Sequence, residues 1–125
     1  RQCPPYIHIV GINGKTSTCM MLEQLLSKCG RLKVGTFTYP PLLDVKECIR
    51  IDGAPIRSEH FEQISREVEQ SNHAHGMECS YYELLYAKAI LAFSESTLDV
   101  IVVEAAMGGA YDATITLRSS NKCLG

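Results

Sequence analysis

Seven residues near the beginning of the chain have the composition of a phosphate-binding loop. The segment Gly11–Ser17 reads G-I-N-G-K-T-S and directly follows the apolar run Tyr6–Val10. In such a loop, glycines let backbone N–H groups turn towards a polyphosphate, a lysine neutralises its charge, and the next hydroxyl can reach Mg²⁺. The segment therefore predicts that Lys15 and the backbone around it hold the phosphates of a nucleotide.

The spacing of this loop is shorter than usual. The common G-x-x-x-x-G-K-T pattern would place a glycine where Ile9 stands, and Gly11 gives a contracted G-x-x-G-K-T instead. A glycine-rich turn between a strand and a helix, with a solvated Lys15, is the alternative interpretation. The β-type run before the loop and the helical pattern after it favour the phosphate site.

A carboxylate at the end of an apolar strand is the second group that could do chemistry. Val100–Val103 is continuously aliphatic, and Glu104 follows it, ahead of a glycine pair at 108–109. An acid at such a position needs a partner, and Mg²⁺ beside a bound phosphate is one. Capping of the next turn is the alternative role. Because the glycine loop is also present, we predict that Glu104 binds the metal.

The elements that must position these residues alternate between strands and helices, which predicts an α/β fold with an open, mostly parallel sheet and flanking helices. Strands are expected at about 6–10, 33–38, 48–51, 54–56 and 99–104, helices at about 15–29, 59–70 and 81–96, and a polar loop at 71–79. Ligands of such sheets bind at the carboxyl ends of the strands. We therefore expect the glycine loop and Glu104 to meet there.

Apolar periodicity predicts which side chains of the first two helices face the sheet. The expected inward residues are Cys19, Leu22, Leu25, Leu26 and Cys29 on the first helix, and Phe61, Ile64 and Val68 on the second. The charged residues Lys46, Glu47 and Arg50 are expected on a solvated face.

Composition limits the classes of partner. The 125 residues suffice for one domain, and the hydrophobic share of 46% supports a core. The formal net charge is −2, without a basic patch, and no apolar run approaches the roughly 20 residues of a membrane helix, so we expect neither nucleic acid nor a membrane as a partner. The six cysteines form no C-x-x-C pair and are expected as reduced thiols in a cytoplasm-like compartment.

Motifs of a known family are distributed over nearly the whole chain. They are the segments Gly11–Cys19, Leu42–Ile56 and Glu104–Thr114. The first resembles the G-T-N-G-K-x-S loop of folylpolyglutamate synthases and dihydrofolate synthases, members of the Mur ligase superfamily. The second is similar to that family's L-x-x-V-R-E-R-I-x-I-N/D-G-x-P-I segment, and the third to its E-x-G-x-G-G-x-x-D-x-T-N segment. The first motif is shared with other Mur ligases, whereas the other two indicate the folate branch.

The resemblance implies a phosphate-loop fold like the Mur ligase central domain and an ATP-dependent amide ligation. In that reaction ATP phosphorylates a carboxylate of folate or dihydropteroate, and the amine of L-glutamate attacks the acyl phosphate. The site residues that it implies are Gly11, Asn13, Gly14, Lys15, Thr16 and Ser17 for ATP, Lys15 as the catalytic residue, and Glu104 and Ser17 for Mg²⁺. Whether the hydroxyl of Thr16 or that of Ser17 serves the metal stays open.

The resemblance also implies that residues 1–125 are the N-terminal portion of the ATP-binding domain, without the C-terminal domain that carries glutamate. The chain begins with Arg1 almost on the first strand and ends in a polar run, which is typical of a fragment. We therefore expect the chain to be inactive alone. The full-length protein is expected to be a monomer in the cytoplasm, or in mitochondria if the organism is eukaryotic.

Some residues depart from the family pattern. The family's T-S-P-H-L loop is replaced by T-Y-P-P-L, so Tyr39 stands at a serine linked to metal binding and Pro41 at a histidine near the pterin pocket. Two alternatives remain: a Mur-type cell-wall peptide ligase relative, and a degenerate non-catalytic remnant that serves nucleotide binding or protein interaction. The folate-type segment Leu42–Ile56 argues against the cell-wall ligase. The departures at Tyr39 and Pro41, and at Ile12, where the family loop has threonine, favour the non-catalytic remnant.

Overall fold

Five strands form a single sheet in the structure, a computed structural model that describes residues 4–11 and 14–105. The strands are β1 (Tyr6–Ile9), β2 (Val34–Phe37), β3 (Ile49–Ile51), β4 (Ala54–Pro55) and β5 (Val100–Glu104). The helices are α1 (Lys15–Gln24), α2 (Ser58–Ala74) and α3 (Tyr81–Ser94). A π turn over Leu25–Cys29 extends α1, and a short 3₁₀ helix over Val45–Cys48 precedes β3.

The sheet has the strand order β1-β5-β2-β3-β4. The strand β5 pairs in parallel with β1 on one side and with β2 on the other. The hairpin β3–β4 extends the sheet by antiparallel pairing, so the sheet is mixed although four of its five strands run in one direction. The predicted α/β class is confirmed.

Alternating side chains of the central strands face two separate apolar cores, as the pleat requires. On one face, α1 covers Val34, Val100 and Val102. On the other face, α2 and α3 cover Phe37, Ile101 and Val103. The near-continuous apolar sequence of β5 follows from this cover on both faces.

The apolar stripe predicted for the first helix is wrong in part. Cys19 is fully buried, and Leu22 and Leu26 are half-buried, but Leu25 and Cys29 are exposed. These two lie in the π turn, which has more residues per turn than an α-helix, so a period of 3.6 no longer describes the end of the helix. A carboxylate, Glu23, is fully buried on the inner face instead.

The second and third helices follow the sequence pattern more closely. Ile64 is buried, and Phe61 and Val68 pack against the same core, as predicted. The helix α2 continues to Ala74, so the polar loop predicted from residue 71 begins too early. The predicted capping box opens α3, with the Ser80 hydroxyl accepting from the Glu83 N–H and the Glu83 carboxylate accepting from the Ser80 N–H.

Candidate functional site

The two predicted chemical groups lie at the same edge of the sheet. Ile9, the last residue of β1, pairs with Glu104, the last residue of β5, and the glycine loop begins directly after Ile9. Two neighbouring parallel strands thus deliver the loop and the acid to adjacent carboxyl ends, as the sequence predicts.

Glu104 is buried and already has hydrogen-bond partners from two other elements. The residue is only 4% exposed, and its Oε1 atom accepts a 2.7 Å hydrogen bond from the Thr16 hydroxyl. The Tyr39 backbone N–H, just past β2, donates to the same oxygen over 3.4 Å. The acid is thereby fixed between the start of α1 and the end of β2.

The Lys15 ammonium group lies beside this acid. Its Nζ atom donates a 3.0 Å hydrogen bond to the backbone carbonyl of Ala105, the residue after Glu104. The predicted meeting of Lys15 with the tip of β5 is therefore present in the structure. A carbonyl oxygen is a weaker partner for an ammonium group than a phosphate is, so the lysine can transfer to an incoming anion.

The start of α1 is suited to an anion. Gly14 is the N-cap residue, with φ +75° in the left-handed region that favours glycine, and Gly11 has φ +144°. Among the described residues, no side chain caps this end and no acid lies in the first turn. The first backbone N–H groups and the helix dipole therefore present positive charge to the space outside the loop.

The donor set at this edge fits a hard cation. The carboxylate of Glu104 and the hydroxyl of Thr16 are oxygen ligands of the kind that Mg²⁺ prefers. No group of three or more His, Cys, Asp or Glu side chains suited to a metal occurs within residues 4–11 and 14–105. Mg²⁺ fits such a sparse site, because it is commonly held by one or two carboxylates together with substrate phosphates and water.

The remaining predicted site residues are distributed as follows. The Ser17 side chain belongs to an exposed residue of α1, one position beyond the hydroxyl that contacts Glu104. Asn13 lies outside the described residues, as does the segment after Ala105 that contains the glycine pair at 108–109.

The chain is similar in sequence to several folylpolyglutamate synthases and dihydrofolate synthases. No protein-family model matches the chain. It is 38% identical over 122 residues to the mitochondrial folylpolyglutamate synthase of Cricetulus griseus, an alignment that covers 94% of the chain and 21% of the relative. It is 40% identical over 126 residues to the dihydrofolate synthase/folylpolyglutamate synthase of Mycobacterium tuberculosis, covering 92% of the chain and 26% of the relative.

The chain is a relative of the folylpolyglutamate synthases and dihydrofolate synthases. Solved structures agree: folylpolyglutamate synthase of Mycobacterium tuberculosis complexed with ADP superposes with a TM-score of 0.81 at 37% identity, over 90% of the chain and 26% of that structure. The bifunctional enzyme of Yersinia pestis complexed with AMPPNP and a Mn ion gives a TM-score of 0.83 at 31% identity, over 91% and 27%. The chain thus spans about a quarter of the length of the relatives it matches.

The loop in which the chain departs from the family pattern borders the site directly. Tyr39 contacts Glu104 through its backbone N–H, while its ring packs edge-on against Tyr82, with 5.2 Å between the centroids. The residues that follow are held by Glu47, whose carboxylate accepts from the backbone N–H groups of Leu42, Leu43 and Asp44. Glu47 therefore orders the loop from a half-buried position, through hydrogen bonds that lie at the surface.

The prediction of a solvated face is wrong for Arg50. Its guanidinium group forms an ion pair with Glu23 of α1 at 2.9 Å, with one side chain 17% exposed and the other fully buried. Lys46, in contrast, pairs with the exposed Asp44, as expected for a solvated face. The missed signal is the position of Glu23 four residues after Cys19, which places an acid on the inner face of the helix.

Among the residues that the structure describes, no helix is long and apolar enough to cross a membrane.

Proposed function

We propose that this chain supplies the ATP- and Mg²⁺-binding part of a ligase that joins L-glutamate to folate or dihydropteroate. The observation that carries the proposal is the contact between the buried Glu104 and the Thr16 hydroxyl, with the Lys15 ammonium group bonded to the next residue of the strand. The proposal draws further support from the ADP, AMPPNP and Mn ion in the solved structures of its relatives.

Each residue has a distinct part in the proposed reaction. Gly11 and Gly14 let the loop backbone approach the phosphates, Asn13 is proposed as a further ATP-binding residue of the same loop, and Thr16 and Ser17 add hydroxyl groups. Lys15 stabilises the negative charge that builds up on the transferred phosphoryl group, which makes it the catalytic residue. Glu104 holds Mg²⁺, with a hydroxyl of Thr16 or Ser17, and the metal when bound neutralises phosphate charge.

The need for a phosphate site follows from the chemistry of amide formation. A carboxylate is a poor acylating agent, and phosphorylation by ATP converts it into an acyl phosphate that the amine of glutamate can attack. The enzyme must then hold two anions, ATP and the substrate carboxylate, close together. This requires the Lys15 ammonium group, the backbone N–H groups and the metal at one edge of the sheet.

The proposal extends to the place of this chain in a larger protein. Because the relatives are several times as long, we propose that residues 1–125 are the N-terminal portion of the ATP-binding domain and that glutamate binds to a C-terminal domain. The chain alone then binds nucleotide without ligating glutamate. For the full-length protein we propose a monomer in the cytoplasm or in mitochondria.

Titration of the purified chain with Mg·ATP tests the nucleotide site. We expect Lys15→Ala to weaken binding by about ten-fold or more, because an ammonium–phosphate contact contributes about 1.5–3 kcal/mol. Lys28→Ala is the matched control, since it removes the same charge from an exposed position of the same helical segment. Equal affinity of the wild-type chain and Lys15→Ala would remove Lys15 from its proposed role.

The acceptor is tested with the full-length gene. Growth of a host that lacks folate ligase activity, restored by this gene, would support glutamate addition to folate or dihydropteroate. Restoration only in a host that lacks a cell-wall peptide ligase would contradict the folate proposal.

A further inference from the structure

A buried polar cluster joins α1 to the sheet near the C-terminal end of the helix. The fully buried Glu23 carboxylate accepts a 2.9 Å hydrogen bond from the Thr36 hydroxyl of β2. It also accepts from Nε of Arg50 at 2.9 Å and from Nη2 of the same guanidinium group at 3.1 Å. Thr36 and Arg50 are directly opposite each other in the β2–β3 ladder, so one carboxylate bridges two adjacent strands.

The same guanidinium group also reaches the β3–β4 turn. Its Nη2 atom donates a 2.7 Å hydrogen bond to the Gly53 carbonyl. The helix is thus connected, through two side chains, to β2, to β3 and to the turn that follows β3. Bonds of this kind fix both the position of the helix along its axis and its rotation, because a forked donor tolerates little change in direction.

Among residues 4–11 and 14–105, the other polar bonds between α1 and the sheet or the residue after it lie at the first two residues of the helix. Lys15 bonds to Ala105, and Thr16 bonds to Glu104. Between these and Glu23, the described contacts are apolar ones, made by Cys19 and Leu22, and apolar contacts have no preferred direction. If the proposed ligands bind, Lys15 and Thr16 exchange their present partners for phosphate and metal, which leaves Glu23 as the directional contact among the described residues.

We propose that Glu23, Thr36 and Arg50 are positioning residues that hold α1 in register while its first turn exchanges ligands. This inference rests on the proposed function, because it concerns the same phosphate site. The cluster is about 12 Å from Lys15 along the helix axis, so it acts through the helix and does not touch the nucleotide. The cluster is also close in sequence to the loop after β2, because Thr36 lies three residues before Tyr39, whose backbone N–H contacts Glu104.

A positioning role can be separated from a stabilising one. Replacing a buried ion pair by apolar side chains of similar size is often neutral for stability, because the charges no longer lose their hydration. The triple variant Glu23→Met/Thr36→Val/Arg50→Met therefore keeps a packed interface and removes the directional bonds. Glu69→Met/Lys88→Met is the matched control, since it removes a 2.8 Å ion pair between α2 and α3 that does not involve α1.

Three quantities are measured on the chain for the wild type and both variants. These are the thermal unfolding midpoint, the hydrogen exchange of the Thr18 and Cys19 backbone amides without ligand, and the affinity for Mg·ADP. Thr18 N–H bonds to the Gly14 carbonyl, so its exchange reports on the first turn of α1. For the triple variant we expect an unfolding midpoint close to that of the wild type. We expect the Thr18 and Cys19 amides to exchange faster than in the wild type, by a larger factor than the amides of α3, and the affinity for Mg·ADP to fall by about ten- to hundred-fold.

The outcomes distinguish the two proposals. If the wild-type chain does not bind Mg·ADP, the proposed function fails, and amide exchange still decides the positioning role. If the triple variant is folded and its first-turn exchange equals that of the wild type, the positioning role is overturned. If the triple variant unfolds, Thr36→Val alone replaces it, and unchanged exchange at Thr18 in that variant overturns the inference equally. Faster first-turn exchange in the control pair also contradicts it.

Discussion

At the scale of single residues, the structure separates two hydroxyl groups that the sequence leaves equivalent. Thr16 and Ser17 are neighbours behind the lysine, and the family pattern allows either to serve the metal. The Thr16 hydroxyl is the one that contacts Glu104, at 2.7 Å. Since a metal ligand must reach the same cation as the carboxylate, we expect the Thr16 hydroxyl to carry the metal dependence.

Thr16→Val and Ser17→Ala test this expectation. Valine keeps the shape of threonine without its hydroxyl, so Thr16→Val should lower the Mg²⁺-dependent affinity for ATP by about ten-fold, the value of a hydrogen bond to a charged group. Ser17→Ala should change it little. The measurement is the ratio of ATP affinities with and without Mg²⁺, and a loss seen only in Ser17→Ala would return the metal role to Ser17.

The cysteines offer a second test at this scale. Burial raises the pKa of Cys19 to about 12, and the nearby carboxylates of Glu104 and Glu23 add to the effect. Burial likewise raises the pKa of Cys48 to about 12, with smaller contributions from Glu47 and Glu104. A thiol with such a pKa has almost no thiolate near neutral pH, and thiolate is the reactive form.

Alkylation of the native chain by iodoacetamide at about pH 8 should therefore modify the exposed Cys29 well before Cys19 or Cys48. Mass spectrometry of peptides at increasing times measures the order. All three should react at similar rates once the chain is unfolded in denaturant. Early modification of Cys19 in the native chain would show that α1 does not cover β5 as described.

At the scale of elements, a single carboxylate orders the loop between β2 and the 3₁₀ helix. Glu47 accepts from three consecutive backbone N–H groups, those of Leu42, Leu43 and Asp44. It does so as the N3 residue of a capping box whose N-cap is Asp44. The two leucines that it holds are almost fully exposed, so apolar packing does not order this loop.

Glu47→Ala should consequently speed hydrogen exchange at the Leu42 and Leu43 amides by about ten-fold, because each loses its acceptor. Glu62→Ala, which removes an exposed acid from α2, is the control. Amides of β3 should keep their protection in both variants. Unchanged exchange in Glu47→Ala would mean that these backbone groups are held by something other than the carboxylate.

The sequence predicts the type of each main element because the signals are local. Gly14 before Lys15, the capping box at Ser80 and the aliphatic run of β5 each act within a few residues. The partners of the buried Glu23 could not be predicted in this way, because they come from strands 13 and 27 residues further along the chain. Apolar periodicity also does not predict the π turn, which has no buried residue, or the last turn of α2, whose residues are mostly exposed.

At the scale of the whole molecule, the site is produced by topology. The first and last described strands, β1 and β5, are neighbours although about 90 residues separate them. Their parallel pairing places the glycine loop beside Glu104, and the parallel β2 on the other side of β5 adds the Tyr39 N–H. A sequence motif can predict the loop and the acid separately, and the parallel sheet explains why they meet.

In the proposed function, the start of α1 and Glu104 hold a nucleotide and its metal together. Crystals of the chain grown with ADP and Mn²⁺ would locate both ligands, because Mn²⁺ is identified by its anomalous scattering. We predict a manganese peak at a coordination distance of about 2.1 Å from a Glu104 carboxylate oxygen, with phosphate density at the backbone N–H groups of Lys15 and Thr16. Nucleotide bound elsewhere, with Glu104 still bonded to Thr16 and Tyr39 and to no metal, would show that this edge of the sheet is not the nucleotide site.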